Sequence, residues 1–423
     1  MTTQGDPTET IEDLDSFRER ARRFIQAEIG PGRASTQTGL RRTRTDQEVL
    51  DEIGRDRALQ RMLFEAELAG VVVPRRYGGQ GLTVAHQDVL NEELLGHDFP
   101  VRIQIPTMTP CMAVLLEFGT EEQKLRHVPA ILRGDETWMQ FLSEPSGGSD
   151  VAGALTTAVR DGDEWILNGS KVWTTGAWWS DWGLCLARTN WDVPKHRGLS
   201  VFIFPIASEG IEVQRIEMLN GNMDFCQEFL TDVRVPDSDR IGDVDAGWTV
   251  GTRWMFHERM AANSPYVTRP AEHEQTSFDG PSLLRLASAA GLDGDSRAED
   301  LVGEAETLSL VGNALGRRVG QGLLTGTMSE QSSAIARLFG GLSLVRRSTI
   351  AFDLAGSSGA VWAGDDGELA SRGEDFLMRQ VPCIGGGTTE MASNVISERV
   401  LGMPREPALD RDIAFRDVPR GPR

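Results

Sequence analysis

The chain has 423 residues, too many for one small core, so two or three packed units are expected. Its 43 basic and 63 acidic residues leave a net charge of −20, which argues against a nucleic-acid-binding surface. No apolar run approaches the ~20 residues of a membrane span. The polar, acidic stretch from Met1 to Asp15 is the opposite of a signal peptide. Four scattered cysteines, Cys111, Cys185, Cys226 and Cys383, lack metal-ligand spacing and fit a reduced cytoplasmic setting with no metal centre.

From Ile11 to about Thr137 the spacing of apolar residues predicts helices. They cover Ile11–Ile29, Gln47–Ala69, Val84–Leu95, Cys111–Phe118 and Glu121–Leu132, with a glycine loop at Gly78–Gly81. From Trp138 to about Arg240 short β-branched and aromatic runs alternate with turns, at Trp165–Leu167, Trp182–Ala187, Leu199–Phe204, Ile211–Ile216 and Glu228–Val235. After Gly247 helices return at Trp248–Ala262, Ser282–Ala290, Ala298–Leu323, Ser333–Leu354 and Thr389–Leu401, with a polar loop at 267–279. Beyond Pro404 the charged, Pro- and Gly-containing tail reads as an extended arm or disordered. The expected division is an N-terminal all-α domain over 1–137, a central β domain over 138–245, a C-terminal helical bundle over 246–405 and a tail over 406–423.

Two segments carry the chemistry. Gln140–Gly153 runs Gln-Phe-Leu-Ser-Glu-Pro-Ser-Gly-Gly-Ser-Asp-Val-Ala-Gly. It joins an apolar run to a turn of small residues whose N–H groups and hydroxyls suit an anionic or carbonyl-rich ligand. About twenty residues on, Asn168–Gly176 places an aromatic before two hydroxyls, Trp173-Thr174-Thr175. Two further glycine loops are Gly320–Gly326 and Gly385-Gly386-Gly387; the latter precedes Thr388-Thr389-Glu390, and either threonine is able to cap the helix that follows. None of the glycine loops sits in the strand–turn–helix context of a dinucleotide fingerprint.

In this order and spacing the first two segments resemble the flavin-binding segments of the acyl-CoA dehydrogenase family, including its actinobacterial steroid side-chain members. Further matching stretches are Gly119–Lys124, Phe229–Pro236 and Ser397–Arg405, so the resemblance spans about Ile11 to Arg405. It implies an α+β fold with an N-terminal helical domain, a central β-barrel or sandwich and a C-terminal helical bundle. It also implies FAD as cofactor, an acyl-CoA substrate, an electron-transfer flavoprotein as acceptor and a homo- or heterotetramer built as a dimer of dimers. In the family's reaction a carboxylate takes the α-proton of the thioester while the β-hydrogen leaves as hydride to flavin N5.

By the same resemblance Leu142 and Ser143 contact the pyrimidine edge of the flavin, Ser149 the phosphate and substrate side, Trp173 the ring and Thr175 the neighbourhood of N5. Gln140 and Thr174 complete that set, and Thr388 and Glu390 face the adenosine half. The usual base position in the glycine loop is here Gly386. The resemblance therefore points to the alternative position, Glu258, which lies on a helix beside Arg259 and amid Trp254, Met255, Phe256 and Met260. Gly385 and Gly386 then leave a wide pocket near the α-carbon, suited to a branched or bulky acyl group, and the Gly386 N–H is free for the thioester oxygen. The segment Asp353–Gly359 departs from a family stretch that begins in Gln with paired glycines, and Met260–Gly303 lacks the usual Arg-plus-Phe pattern. These departures raise a heteromer with a paralogous partner. The alternatives are a flavin monooxygenase or nitroalkane oxidase of the same fold, and a non-catalytic subunit that completes a partner's site.

Overall fold

In the computed structural model the described residues are 11–32, 45–261, 264–268, 278–361, 367–408 and 410–419. The first ten residues and most of the expected 267–279 loop lie outside them.

The N-terminal third is helical: α1 Leu14–Glu28, α2 Asp46–Glu65, α3 Val84–Glu93, α4 Val101–Pro106, α5 Ala113–Phe118 and α6 Glu121–Arg133. Local chemistry sets several ends. The Asp13 carboxylate accepts the N–H groups of Asp15 and Ser16 to open α1. Thr45 with Glu48 and Thr120 with Gln123 form capping boxes that open α2 and α6. The expected helix at Cys111–Phe118 is longer and irregular. Between α4 and α5 the chain widens into a π-type turn, Thr107–Met112, with all six residues buried. Pro106 and Pro110 lack the N–H groups that a regular helical ladder needs, which accounts for the widening.

The middle of the chain forms one eight-stranded sheet: β1 Trp138–Phe141, β2 Thr157–Asp161, β3 Glu164–Thr175, β4 Trp182–Arg188, β5 Leu199–Pro205, β6 Ile211–Arg215, β7 Phe225–Pro236 and β8 Arg240–Ile241. The order is β6-β7-β3-β2-β4-β5-β8, and β1 lies parallel to β4. Every residue of β4 is buried, because the sheet is covered on both faces. Leu184, Leu186, Val201 and Ile203 join a core with Cys111, Val128, Trp138 and Trp254, and Cys185, Ala187, Phe202 and Phe204 face a second core with Trp165 and Cys226. Strands β1, β2 and β8 were not expected from pattern. In β2, Thr-Ala-Val-Arg-Asp buries only Ala158 and carries no apolar run.

The C-terminal third holds α7 Gly247–Arg259, α8 Gly280–Ala289, α9 Ser296–Leu324, α10 Ser333–Ala355, α11 Ser357–Ala360, α12 Gly367–Met378, α13 Val381–Ile384 and α14 Thr389–Val395. Helix α7 belongs to the first core through Val250 and Trp254, whereas α8, α9 and α10 share a separate core of Leu283, Leu286, Ala305, Ile350 and Leu354. The expected α+β architecture, helices then sheet then helices, is the one observed.

Candidate active site

The residues singled out from sequence fall into two groups joined by one helix. The first group lies where β1 runs into its loop and where β3 ends. A buried ion pair fixes these two segments together. Lys171 Nζ, with a side chain 0 % exposed, is 2.8 Å from Glu144 Oε1, and it also donates to the Leu142 carbonyl at 3.3 Å. Glu144 accepts the N–H groups of Leu155 (2.6 Å) and Thr156 (3.0 Å) as well. Burial drives the Glu144 carboxyl upward, but Lys171 and these donors outweigh it and hold the group below its ordinary range. The Ser143 carbonyl accepts Val172 N–H at 3.0 Å, so the loop lies directly along β3.

The register of β3 against β7 slips between Val172 and Thr174, and the residue in the slip is Trp173. Its φ is +68°, a left-handed conformation that a bulky residue rarely adopts and that costs of order 1–3 kcal/mol. The bulge turns the indole out of the sheet: Trp173 is 57 % exposed and touches Phe225 edge-on at 5.8 Å. It is therefore no core aromatic. Thr175 is also exposed, whereas Thr174 points inward, its single hydroxyl hydrogen shared between Glu228 Oε2 at 3.0 Å and the Gln140 carbonyl at 3.3 Å. Ser149 is exposed at the tip of the loop.

Glu228, fully buried on β7, was not foreseen. Burial pushes its carboxyl up to about 8, against the opposing effect of the Thr174 hydroxyl, and its Oε1 has no partner. A folded-state pKa above the unfolded value means stability present at acid pH that is lost as pH rises from about 4.5 towards about 8. Glu228→Gln, which cannot ionise, should match the wild type in urea unfolding at pH 5. It should be more stable by about 2–4 kcal/mol at pH 9. A gap that does not widen with pH would show that Glu228 is not held protonated.

The second group lies on α7 and around the glycine loop. Glu258, in the last turn of α7, is partly accessible yet closely surrounded by protein. Burial raises its carboxyl above the ordinary value, and the adjacent Arg259 offsets this only in part. It makes no hydrogen bond or ion pair with any described residue, and it faces the buried Cys111 of the π-type turn closely enough to raise that thiol further. The preceding residue, His257, turns the other way and meets Glu117 at 2.8 Å, with Arg253 on the same carboxylate at 2.7 Å.

One turn before Glu258, the Trp254 indole N–H donates to the Gln140 side chain. Helix α7 is thereby tied to β1, the strand that leads into the loop. The Gln140 side-chain oxygen and the Thr174 hydroxyl are thus engaged within the protein.

The glycine loop is held by a residue that sequence reasoning missed. Arg337 of α10 donates to the carbonyls of Pro382, Gly385 and Gly387, the last at 2.8 Å. Burial lowers the Arg337 pKa, and the Arg259 charge lowers it further. Gly386 and Gly387 have φ of +69° and +98°, and a Cβ at either would meet nothing within 4 Å. Thr388, rather than Thr389, caps α14 by accepting Met391 N–H at 3.1 Å. Glu390 is exposed, and no hydrogen bond or ion pair among the described residues joins Thr388 or Glu390 to the β3 group.

The comparisons with known proteins give the class to which this helical–sheet–helical chain belongs. Residues 11–135 match the family model of the acyl-CoA dehydrogenase N-terminal domain, and residues 140–233 match that of the middle domain. The chain is 29% identical to acyl-CoA dehydrogenase IpdE1 of Mycobacterium tuberculosis over 94% of its own length and 99% of that protein. It is 31% identical to acyl-CoA dehydrogenase FadE34 of the same organism over 77% of its length, and that match spans 44% of the relative. Among solved structures, the Tcur3481-Tcur3483 steroid ACAD shares the fold with a TM-score of 0.70 at 24% identity, covering 94% of this chain and 100% of that one. The chain belongs to the acyl-CoA dehydrogenase family and is an oxidoreductase.

Proposed function

We propose that the enzyme catalyses α,β-dehydrogenation of an acyl-CoA thioester, with FAD as its cofactor. When bound, FAD supplies the acceptor for the β-hydrogen as hydride, and the electrons pass on to an electron-transfer flavoprotein. The observation that carries this reading is Glu258: a carboxylate with a raised pKa, free of partners and partly accessible, at the end of a helix pinned to β1. A base in that state is suited to take an α-proton near neutral pH.

The remaining residues bind and orient. Trp173, driven outward at some cost in strain, offers its ring face to a flat aromatic group, which is the fit expected of a flavin site. Leu142, Ser143, Ser149 and Thr175 line the same edge, and Thr388 and Glu390 serve the adenosine half. Gly385 and Gly386 supply backbone and space beside the thioester, with the Gly386 N–H available to its carbonyl oxygen. The open space around Gly386 and Gly387 favours a bulky or branched acyl group, and the related steroid ACAD is in keeping with that class.

Exposed apolar side chains on the C-terminal helices, among them Leu284, Leu310, Val311 and Leu342, support association into a homo- or heterotetramer. Among the described residues no helix is long and apolar enough to cross a membrane. Four free, buried thiols fit a cytoplasmic enzyme.

The test is the visible spectrum of the purified protein, with flavin counted per chain, before and after anaerobic addition of a bulky acyl-CoA. A yellow protein near one flavin per chain that bleaches supports the proposal. A yellow protein that does not bleach with bulky or short acyl-CoA substrates overturns it. A colourless chain that gains flavin only with a paralogous partner identifies the heteromer.

A further inference from the structure

The C-terminal segment does more than trail from the bundle. After the extended stretch 402–408 it returns to the sheet domain, where it lies on the connection between β4 and β5. Phe415 is 3 % exposed and opens a short 3-10 turn, Phe415–Asp417. Its N–H donates to the Val193 carbonyl at 2.9 Å, and Arg416 N–H donates to that of Trp191 at 3.0 Å. The Phe415 ring lies 5.3 Å from the Trp191 ring and 3.6 Å from Cζ of Arg188.

Arg188, the last residue of β4, is fully buried. Its Nε donates to the Ala154 carbonyl at 3.0 Å, its Nη2 to Ala152 at 2.6 Å and its Nη1 to Lys195 at 3.2 Å. Ala152 and Ala154 close the turn that ends the Ser146–Gly153 loop. A guanidinium presents its donors in its own plane and leaves its faces for aromatic rings. The geometry here divides in that way, with loop carbonyls on the edge and Phe415 on a face.

A second route runs in parallel. Asp410 Oδ2 is 2.8 Å from Lys195 Nζ, whose other partner is Asp150 Oδ2 at 3.0 Å. Asp150 follows Ser149 directly, so both anchors of the tail reach the loop through one intermediate cation. Removing Phe415 would open the face of a buried cation and let water compete for the carbonyls it holds.

We propose that Phe415 and Asp410 are positioning residues: the C-terminal segment is a strap that holds the Ser146–Gly153 loop in the geometry its ligands require. This rests on the reading of that loop as a flavin- and substrate-contacting segment, so the test includes a measurement that needs neither ligand. Amide hydrogen exchange of residues 147–154 is compared in the full-length wild type, Phe415→Ala, Phe415→Tyr and Asp410→Asn. Phe415→Ala should exchange these amides about tenfold faster while β3 and β5 keep their protection.

In the flavin-loaded enzyme the same variant should raise KM for acyl-CoA about tenfold with kcat within about twofold. Phe415→Tyr, which keeps a ring on the guanidinium, should restore both quantities. Asp410→Asn should accelerate loop exchange about threefold, and it keeps the test decidable if Phe415→Ala does not fold. Unchanged loop exchange in both variants overturns the strap, as does an acceleration spread equally over β3 and β5, or a KM that stays put while the loop loosens. A wild-type chain that turns over no acyl-CoA defeats the proposed reaction instead, and loop exchange then decides the strap alone.

Discussion

Glu258→Gln is expected to slow the anaerobic bleaching of the flavin by acyl-CoA about 10³-fold or more, since a positioned general base contributes about 10²–10⁴ and amide nitrogen has no comparable basicity. Flavin content should stay as in the wild type, because among the described residues Glu258 makes no hydrogen bond or ion pair that glutamine would break. The variant should be no less stable, gaining on the wild type as pH rises because glutamine removes the cost of a buried charge. The pH dependence follows from the direction of the shift. Burial raises the Glu258 pKa and Arg259 only partly opposes it, and the base works deprotonated. The rate of bleaching should therefore fall on the acid side of a limb lying above the ordinary carboxylate range. Stopped-flow traces across pH would show this limb in the wild type and its absence in any residual activity of Glu258→Gln. Bleaching at the wild-type rate in the variant would remove Glu258 from the chemistry and turn attention to the glycine loop.

Lys171→Met should be the most destabilising single change in the sheet domain, costing about 3–5 kcal/mol, because it leaves the Glu144 carboxylate charged, enclosed and unpaired. Lys171 is completely buried and its partner is 5 % exposed, so water does not replace the lost cation. The effect should reach function, since the pair is what joins the loop after β1 to the end of β3, on which Trp173 and Thr175 stand. Denaturant unfolding followed by tryptophan fluorescence, with flavin counted per chain, measures both consequences. The double variant Lys171→Met with Glu144→Gln should recover part of the loss, because the neutral amide no longer demands a counter-charge. A single variant within about 1 kcal/mol of the wild type would mean that Glu144 relaxes towards solvent when its partner goes.

The parts of this molecule legible in the sequence are those written in local pattern. Helical spacing in α1, α2, α9 and α10, and the short apolar runs of β4, β5 and β7, place the helix–sheet–helix order without reference to contacts across the chain. The Gln140–Gly153 and Asn168–Gly176 segments stand out because their small and hydroxyl residues are clustered in sequence. What could not be read depends on partners brought together by folding. The bulge at Trp173 exists only in the register of β3 against β7. Lys171 gives no sign in sequence that it pairs with Glu144, nor Arg337 that it holds carbonyls of a loop some fifty residues on. The tail reads as featureless because its two anchors are single residues, each meaningful only against Arg188 and Lys195. Three lysines serve the whole chain, and two of them lie at these junctions.

The hold of Arg337 on Pro382, Gly385 and Gly387 bears on how tightly this site can bind. Three consecutive glycines have the widest conformational freedom in the unfolded chain, and a loop made of them would normally lose that freedom only when a ligand arrives. The loss would then be charged against affinity, at about 1–2 kcal/mol for each residue fixed. With the guanidinium bonded to carbonyls on both sides of Gly386, the ordering belongs to folding and the ligand meets a loop already set. The space proposed for a large acyl group is thereby combined with the stiffness that bare glycine lacks.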